Sequence, residues 1–504
     1  MFNSKWITTK EFINLEKIDI YHKEHDKKTL SETPEELKNN SCRFKKTFLA
    51  AQSKCYKIRI SADDYYKLYV NGKFVCQGPA PAYEDNYYYN EADITPFIID
   101  GENLVAVEVY YQGCNNRVWN SADNRQGMIA DIYENDKFIF GTDESWVYSY
   151  AKEYSGSPSI GYKTQYTENI DFNKADSSWK TDLNLSGTEK ALINEKDDHK
   201  FTSCVPTVSV YTLKPESINK LGVGHYIIDM GKEYTGQLHF TLKGKKDEKV
   251  ILRHGEELNE DGTVRFDMRC NCRYEEVLTL SGETDETDFY DYKAFRYAEI
   301  ISESDSVIED SIEMIVRHHK FDDEGFYIKS SEPLLEDIWK ICAQALKIGV
   351  QEGYLDCPSR EKGQYLGDFV VSGLAHMYLT GDSEMYKKTL REFALSSKIS
   401  EGIMAVAPGS FMQEIADFSL LYPKAVYNYF KYTNDTEFIK EILPVLDGLL
   451  EYFKGYENER GLLEGVVEKW NLVDWPDNLR DGYDFELKNP PKAEGCHNVI
   501  NAYY

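Results

Sequence analysis

The densest chemistry in this sequence lies in Tyr354–Asp368, YLDCPSREKGQYLGD, which sets Asp356, Arg360, Glu361, Tyr365 and Asp368 within thirteen positions. Three carboxylates, an arginine and an aromatic ring on one loop suit a sugar. Carboxylates accept paired hydrogen bonds from neighbouring hydroxyls, and the apolar face of a pyranose stacks on a ring. Carboxylates held close together also raise one another's pKa. That keeps one of them protonated near neutral pH, as a general acid requires. The same composition also fits a solvated, charged loop that merely caps a helix. Cys357-Pro358 beside Tyr354, Leu355 and Leu366 argues instead for an anchored loop, as does the interleaving of both charge signs with Gly363, Gly367 and Tyr365.

Two residues further on are candidates for sugar contact. Asp417, beside Phe418, has the setting of a cap or surface group as readily as that of a ligand-binding group. Trp475, flanked by Asp474, Pro476 and Asp477, is either packed beneath its loop or offered to a ligand. No spacing demands a metal or a cofactor, and none is expected. Cys270 and Cys272 form a lone CxC with no second pair at zinc spacing, and His318-His319 lacks a partner of ligand type at helical distance.

The elements that must position these groups change along the chain. Ile58 and Ile60 alternate with Arg59 and Ser61, and Tyr65–Val70 meets Lys73-Phe74-Val75 across Asn71-Gly72, a strong hairpin signal. With the strand at 104–110 these predict a jelly-roll or β-sandwich over residues 1–150. Residues 151–222 read as a connecting region with a few strands. A second β-sandwich is predicted over 223–320 from strand-like runs that begin near 225, 237, 249, 275 and 294. The period then changes to helical. Leu334, Leu335, Ile338, Trp339, Cys342 and Leu346 mark one face of a helix that Ser331 can cap and Pro333 can open. Further helices are expected around Phe369 to Tyr378 and from near Ser383, Tyr422 and Asn434-Asp435, the last bent or restarted at Pro444. Residues 321–504 therefore form a helical domain whose loops hold the aromatics and carboxylates.

Composition excludes several roles. Of 504 residues, 58 are basic and 86 acidic, a net charge of −28. That is the wrong sign for phosphate contacts, so no nucleic acid and no anionic membrane surface are expected as partners. No run of about 18 apolar residues exists to span a bilayer. The charged N-terminus MFNSKWITTKEFINLEKIDI lacks the apolar core of a secretory signal, and ten cysteines in so long a chain read as reduced thiols, so a cytoplasmic location is expected. Oligomeric state is not legible.

The loop resembles the signature of glycoside hydrolase family 78, the α-L-rhamnosidases, whose common form is Asp-Cys-Pro-x-Arg-Asp-Glu-Arg-x-Gly-Trp-x-Gly-Asp. Here it reads DCPSREKGQYLGD, one residue shorter, with Tyr365 in the place of the tryptophan. A gap at the internal aspartate puts Glu361 on the general-acid glutamate; an ungapped reading puts Lys362 there, which cannot serve. ISADDYYKLYVNGKFV from 60, RHGEELNEDGTVRFDMR from 253 and EGFYIKSSEPLLEDIWK from 324 resemble the family's jelly roll, second sandwich and barrel entry. Asp417 and Trp475 sit where the family has a Trp-Gly-Asp and a Gly-Asp-Trp motif.

The resemblance implies a multidomain fold of two β-sandwich domains followed by an (α/α)6-barrel catalytic domain, incomplete in this chain. At roughly 22–25 residues per helix and loop, 321–504 holds about seven or eight of the twelve helices. It implies inverting hydrolysis of a small-molecule or oligosaccharide substrate bearing terminal rhamnose, with Glu361 as acid. Asp356, Arg360, Tyr365, Asp368, Asp417 and Trp475 would bind the sugar, and the general base would lie beyond position 504. A related glycosidase for another sugar and a non-catalytic carbohydrate-binding protein remain the alternatives.

Overall fold

In the computed structural model, residues 1–21, 33–119, 122–156, 159–185, 188–322, 325–410, 412–473 and 495–504 are described. The chain divides into two compact units. The first comprises Met1–Ile18, Ser31–Lys320 and Cys357–Lys362; the second is built on Phe321–Asp356 and Gly363–Tyr504.

The first unit holds two β modules. In the N-terminal one, strands Asn40–Ala50, Gly101–Tyr111, Tyr65–Val70 and Lys73–Gly78 lie side by side in one sheet. Tyr56–Asp63, Tyr87–Asp93 and Gly127–Glu134 form the centre of the other. The Asn71-Gly72 turn forms as its sequence predicts: both residues take positive φ, 50° and 79°, and Val70 pairs with Lys73. Ile58, Ile60, Phe44, Leu68, Val107 and Met128 close the core between the sheets. Along Gly101–Tyr111 both faces are buried, because Trp179 and Tyr69 pack over Leu104 and Ala106 on the outer side.

The stretch read as connecting is divided between the modules. Glu189–Lys190, Leu192–Ile193 and Phe201–Cys204 edge the N-terminal sheets, whereas Asn169–Asp171 and Ser209–Leu213 join the second module. That module is built on the long strand His225–Lys243. It pairs with Lys293–Ser302, with a register shift between Asp229 and Tyr234, and from Gly236 onward with Val307–His318. Phe240, Leu252, Phe295, Ile300 and Met314 fill its core. The result is the sandwich-like β architecture that the sequence predicts, followed by helices.

The helices of the second unit are α1 (Pro333–Gly349), α2 (Leu366–Thr380), α3 (Ser383–Leu395), the short α4 (Ala416–Ser419), α5 (Tyr422–Thr433), α6 (Thr436–Lys454) and α7 (Asn498–Tyr503). Tight turns make hairpins of α2–α3 and α5–α6. Gly381 and Asn434 take left-handed conformations at the helix ends, and the Asp382 and Asp435 carboxylates accept from the first amides of the helices that follow. Phe369, Tyr386, Leu390, Phe393, Tyr422, Tyr429 and Phe438 are buried in these hairpins.

One local expectation is corrected. Glu332, not Ser331, caps α1, its carboxylate accepting from the Leu334 amide at 3.3 Å. Pro444 lies inside α6, which runs as one helix from Thr436 to Lys454 and does not restart there. The apolar stripe of α1 is largely uncovered, with Leu334 60 %, Leu335 50 % and Ile338 48 % exposed. Periodicity says which face can be buried; it does not supply the surface that buries it. Among the described residues no helix is long and apolar enough to cross a membrane.

Candidate functional site

The signature loop begins at a buried tyrosine. Tyr354 places its hydroxyl 3.0 Å from His376 Nδ1, and its amide donates to Gln364 Oε1. Asp356 then grips Gly363: its amide donates to the Gly363 carbonyl, and its Oδ1 accepts from the Gly363 amide, both at 2.9 Å. Within the enclosed segment the Lys362 amide donates to the Cys357 carbonyl at 3.1 Å, and Lys362 takes φ 51°. Asp356 thus acts on its own backbone, closing the neck of a tight loop whose tip is Pro358-Ser359-Arg360-Glu361.

That tip belongs to the β unit. The Arg360 carbonyl accepts from the Tyr162 amide at 3.1 Å and from Thr164 Oγ1 at 2.5 Å. Gly161 makes the approach possible, since a Cβ there would stand 2.2 Å from the same carbonyl oxygen. Ser359 and Arg360 line a small cavity of about 120 Å³ with Glu256, Arg265 and Cys272.

Glu361 and Lys362, the two residues between which the alignment had to choose, have opposite settings. Lys362 is buried, with Nζ donating to the Tyr292 carbonyl at 2.7 Å and to Asp291 Oδ1 at 3.2 Å, above the Tyr292 ring. Burial lowers its pKa to about 8 despite the Asp291 charge. It is an anchor. The Glu361 side chain is 14 % exposed, with Arg117 NH1 3.9 Å and Arg360 Nε 3.8 Å from its carboxylate. The sequence led to the expectation of acidic neighbours for Glu361; within the β unit its charged neighbours include two guanidiniums. Arg117 also lies over the Tyr162 ring. Neither Arg117 nor Tyr162 carries a motif in the sequence, being more than 190 positions away from the loop tip.

In the helical unit the remaining candidates fall into two groups. Tyr365 and Asp417 come together on one floor. The Tyr365 ring packs with Ala405, Val406, Ile415 and Leu472, and its hydroxyl donates to Gln413 Oε1 at 3.1 Å. Asp417 is buried, Oδ1 accepting from the Leu472 amide at 3.0 Å. Burial pushes its pKa up to about 6, against the pull of backbone amides that includes those of Leu472 and Val473. Gly367 joins the floor because a Cβ there would meet the Phe418 ring at 2.6 Å. A buried ion pair underlies it, Lys469 Nζ to Glu414 Oε1 at 2.6 Å, and Ile415 bridges Trp470 in parallel. Asp368 stands apart from this floor, exposed in the first turn of α2, where its charge complements the helix dipole. Trp475 lies outside the described residues.

The loop tip offers a poorly solvated carboxylate between two arginines, which suits hydroxyl groups; the floor, taken by itself, offers one ring, one buried carboxyl and an amide side chain, which suit them too. Comparison with known proteins gives two family matches. Residues 323–504 match the bacterial α-L-rhamnosidase six-hairpin glycosidase domain, and residues 219–318 match the bacterial α-L-rhamnosidase concanavalin-like domain. An α-L-rhamnosidase of Formosa agariphila is 20 % identical over 485 residues, covering 87 % of this chain and 49 % of its own length. One from Streptomyces avermitilis is 21 % identical, covering 81 % and 41 %. The chain thus spans about half the length of the curated relatives it matches, or less. Among solved structures, the family 78 rhamnosidase of Bacillus sp. GL1 aligns with a TM-score of 0.84 at 14 % identity, over all of this chain and 73 % of its own. The α-L-rhamnosidase of Dictyoglomus thermophilum aligns with a TM-score of 0.73 at 22 % identity, over 92 % and 53 %.

Proposed function

We infer that this chain, which belongs to the bacterial α-L-rhamnosidases of glycoside hydrolase family 78, supplies the acid half of an inverting hydrolysis of terminal α-L-rhamnosides. Glu361 protonates the departing glycosidic oxygen. In an inverting reaction a second carboxylate, roughly 6.5–9.5 Å away, activates water on the opposite face of the ring; this reading assigns that base to no residue of 1–504. Arg360, Tyr365 and Asp417 hold the sugar, joined by Asp368 and by Trp475. Asp356 contributes through the loop neck it closes.

One observation carries the reading: a carboxylate at the tip of a loop fixed by its own backbone, largely withdrawn from water yet not fully buried. A group so held keeps its orientation without reorganising during the reaction. Lys362, buried under the loop, supports the same assignment, because it leaves Glu361 as the carboxyl at the acid position.

The test uses the leaving group. In Glu361→Gln, turnover of an alkyl rhamnoside should fall about 10²–10⁴-fold, the usual contribution of a general acid. Turnover of a nitrophenyl rhamnoside should fall far less, because nitrophenolate leaves without help. The pair of substrates is to be assayed on this chain and on any longer natural form that contains it. Equal losses on both substrates, or no loss on either, would remove Glu361 from the acid role. Arg117 and Arg360 also favour a second reading, in which the Glu361 carboxylate only accepts hydrogen bonds from hydroxyls. Rhamnose binding with no turnover in either form would select it.

A further inference from the structure

We propose that Asp63, Asp123 and His199, all in the N-terminal β module, bind one structural zinc ion. Asp63 ends the strand Tyr56–Asp63, Asp123 lies in the turn before Gly127–Glu134, and His199 precedes Phe201–Cys204. No spacing in the sequence links them. The fold brings one ligand atom of each within 4.8 Å of the others, all three residues being buried.

The hydrogen bonding is what points to an ion. Neither carboxylate oxygen of Asp63 has a hydrogen-bond partner, although the side chain is fully buried, and His199 Nε2 has none either. A buried carboxylate that accepts no hydrogen bond is costly, so the site favours a cation beside it. Arg125 does not supply it. Its guanidinium donates to Asp123 Oδ2 at 2.7 Å and to Asp198 Oδ1 at 2.8 Å, so it already serves two carboxylates.

The imidazole is set up as a ligand. Its Nδ1 lies 2.6 Å from Asp197 Oδ1; as a ligand the ring keeps its proton on that nitrogen and turns the Nε2 lone pair towards Asp63. His199 Nε2 and Asp63 Oδ2 are 3.4 Å apart. That is long for an N–H···O bond, which spans about 2.7–3.2 Å. It matches two donors on one tetrahedral zinc, whose bonds of about 2.1 Å place neighbouring ligand atoms about 3.4 Å apart. Asp63 through both oxygens, His199 through Nε2 and Asp123 through one oxygen give four donor atoms, the narrow bite of the Asp63 carboxylate distorting the tetrahedron. Asp123 keeps lone pairs to spare beside Arg125. A nitrogen and hard oxygens suit zinc, and complete burial leaves no open position for a substrate. The ion therefore ties three segments remote in the chain, and its binding energy adds to the stability of the module.

The rival occupant is a proton, which would turn His199 into an imidazolium between Asp63 and Asp197. The experiment separates the two on the whole chain, purified without chelator. Elemental analysis should find about one zinc per chain, lost in His199→Ala and in Asp63→Asn at unchanged far-UV circular dichroism. Should either variant unfold, wild type decides. Cobalt(II) added to the chelator-stripped chain should saturate at one equivalent with the visible absorption of a four-coordinate site. It should also quench Trp6, whose ring centroid lies 4.4 Å from that of His199, a component missing in Trp6→Phe. Zinc well below one per chain without a cobalt band, or zinc retained by both folded variants, overturns the proposal. So does a ¹⁵N signal from a doubly protonated His199 ring in the metal-free, untreated protein.

Discussion

Asp417 is a residue whose environment makes a pH prediction. Its carboxyl is held at about 6 by burial, above the ordinary aspartate value of about 3.9. The folded state therefore binds the proton more tightly than the unfolded chain. Its effect on stability is greatest below pH 4 and is lost as pH rises through 6. Asp417→Asn keeps an oxygen for the Leu472 amide but does not titrate. The difference in unfolding free energy between wild type and Asp417→Asn should move against wild type by about 1.4 kcal/mol per unit between pH 4 and 6. Denaturant titrations at several pH values measure it; a flat difference would mean the carboxyl is solvated in the folded protein. The residue types of the signature loop were legible in sequence, and so was the choice it posed between Glu361 and Lys362. Arg117, Tyr162 and Gln413 were not. Each owes its place beside a candidate residue to folding between distant segments, and a lone arginine or glutamine has no local pattern.

At the scale of elements, turns and caps follow their local chemistry. Asn71-Gly72, Gly381-Asp382 and Asn434-Asp435 fold as their types dictate, because a left-handed φ or a free amide is satisfied within a few residues. Helix α1 marks the limit of that reasoning. Its stripe was legible, but the stripe stays open, with Leu334 60 % exposed, and Ile341 on the same helix is 71 % exposed. Ile341→Lys should therefore change the stability of this chain by less than about 0.5 kcal/mol. Phe369→Ala, in the packed face of α2 against Tyr354 and Tyr386, should cost about 3–5 kcal/mol. Urea unfolding of the two variants tests the contrast. A large loss in Ile341→Lys would show that α1 is covered in solution.

For the whole molecule the dominant number is the net charge of −28. Like charges repel across a folded surface and are screened by salt, so Tm should rise by a few degrees from low ionic strength to about 0.5 M sodium chloride. Thermal scans against salt check this. A falling Tm would mean that attractive surface pairs such as Lys10 with Glu189 and Lys340 with Asp337 outweigh the general repulsion. The order of modules was also readable at this scale, because a change from alternating to helical periodicity needs no tertiary information.

By itself the sequence determined the β-then-helix order, the tight turns and the loop that holds Glu361, since each rests on contacts within a few residues. Tertiary structure alone decided that Arg117 faces that carboxylate, that Tyr365 and Asp417 share a floor, and that Asp63, Asp123 and His199 converge. Those pairings join segments tens to hundreds of positions apart, and only burial of the intervening core brings such segments within reach.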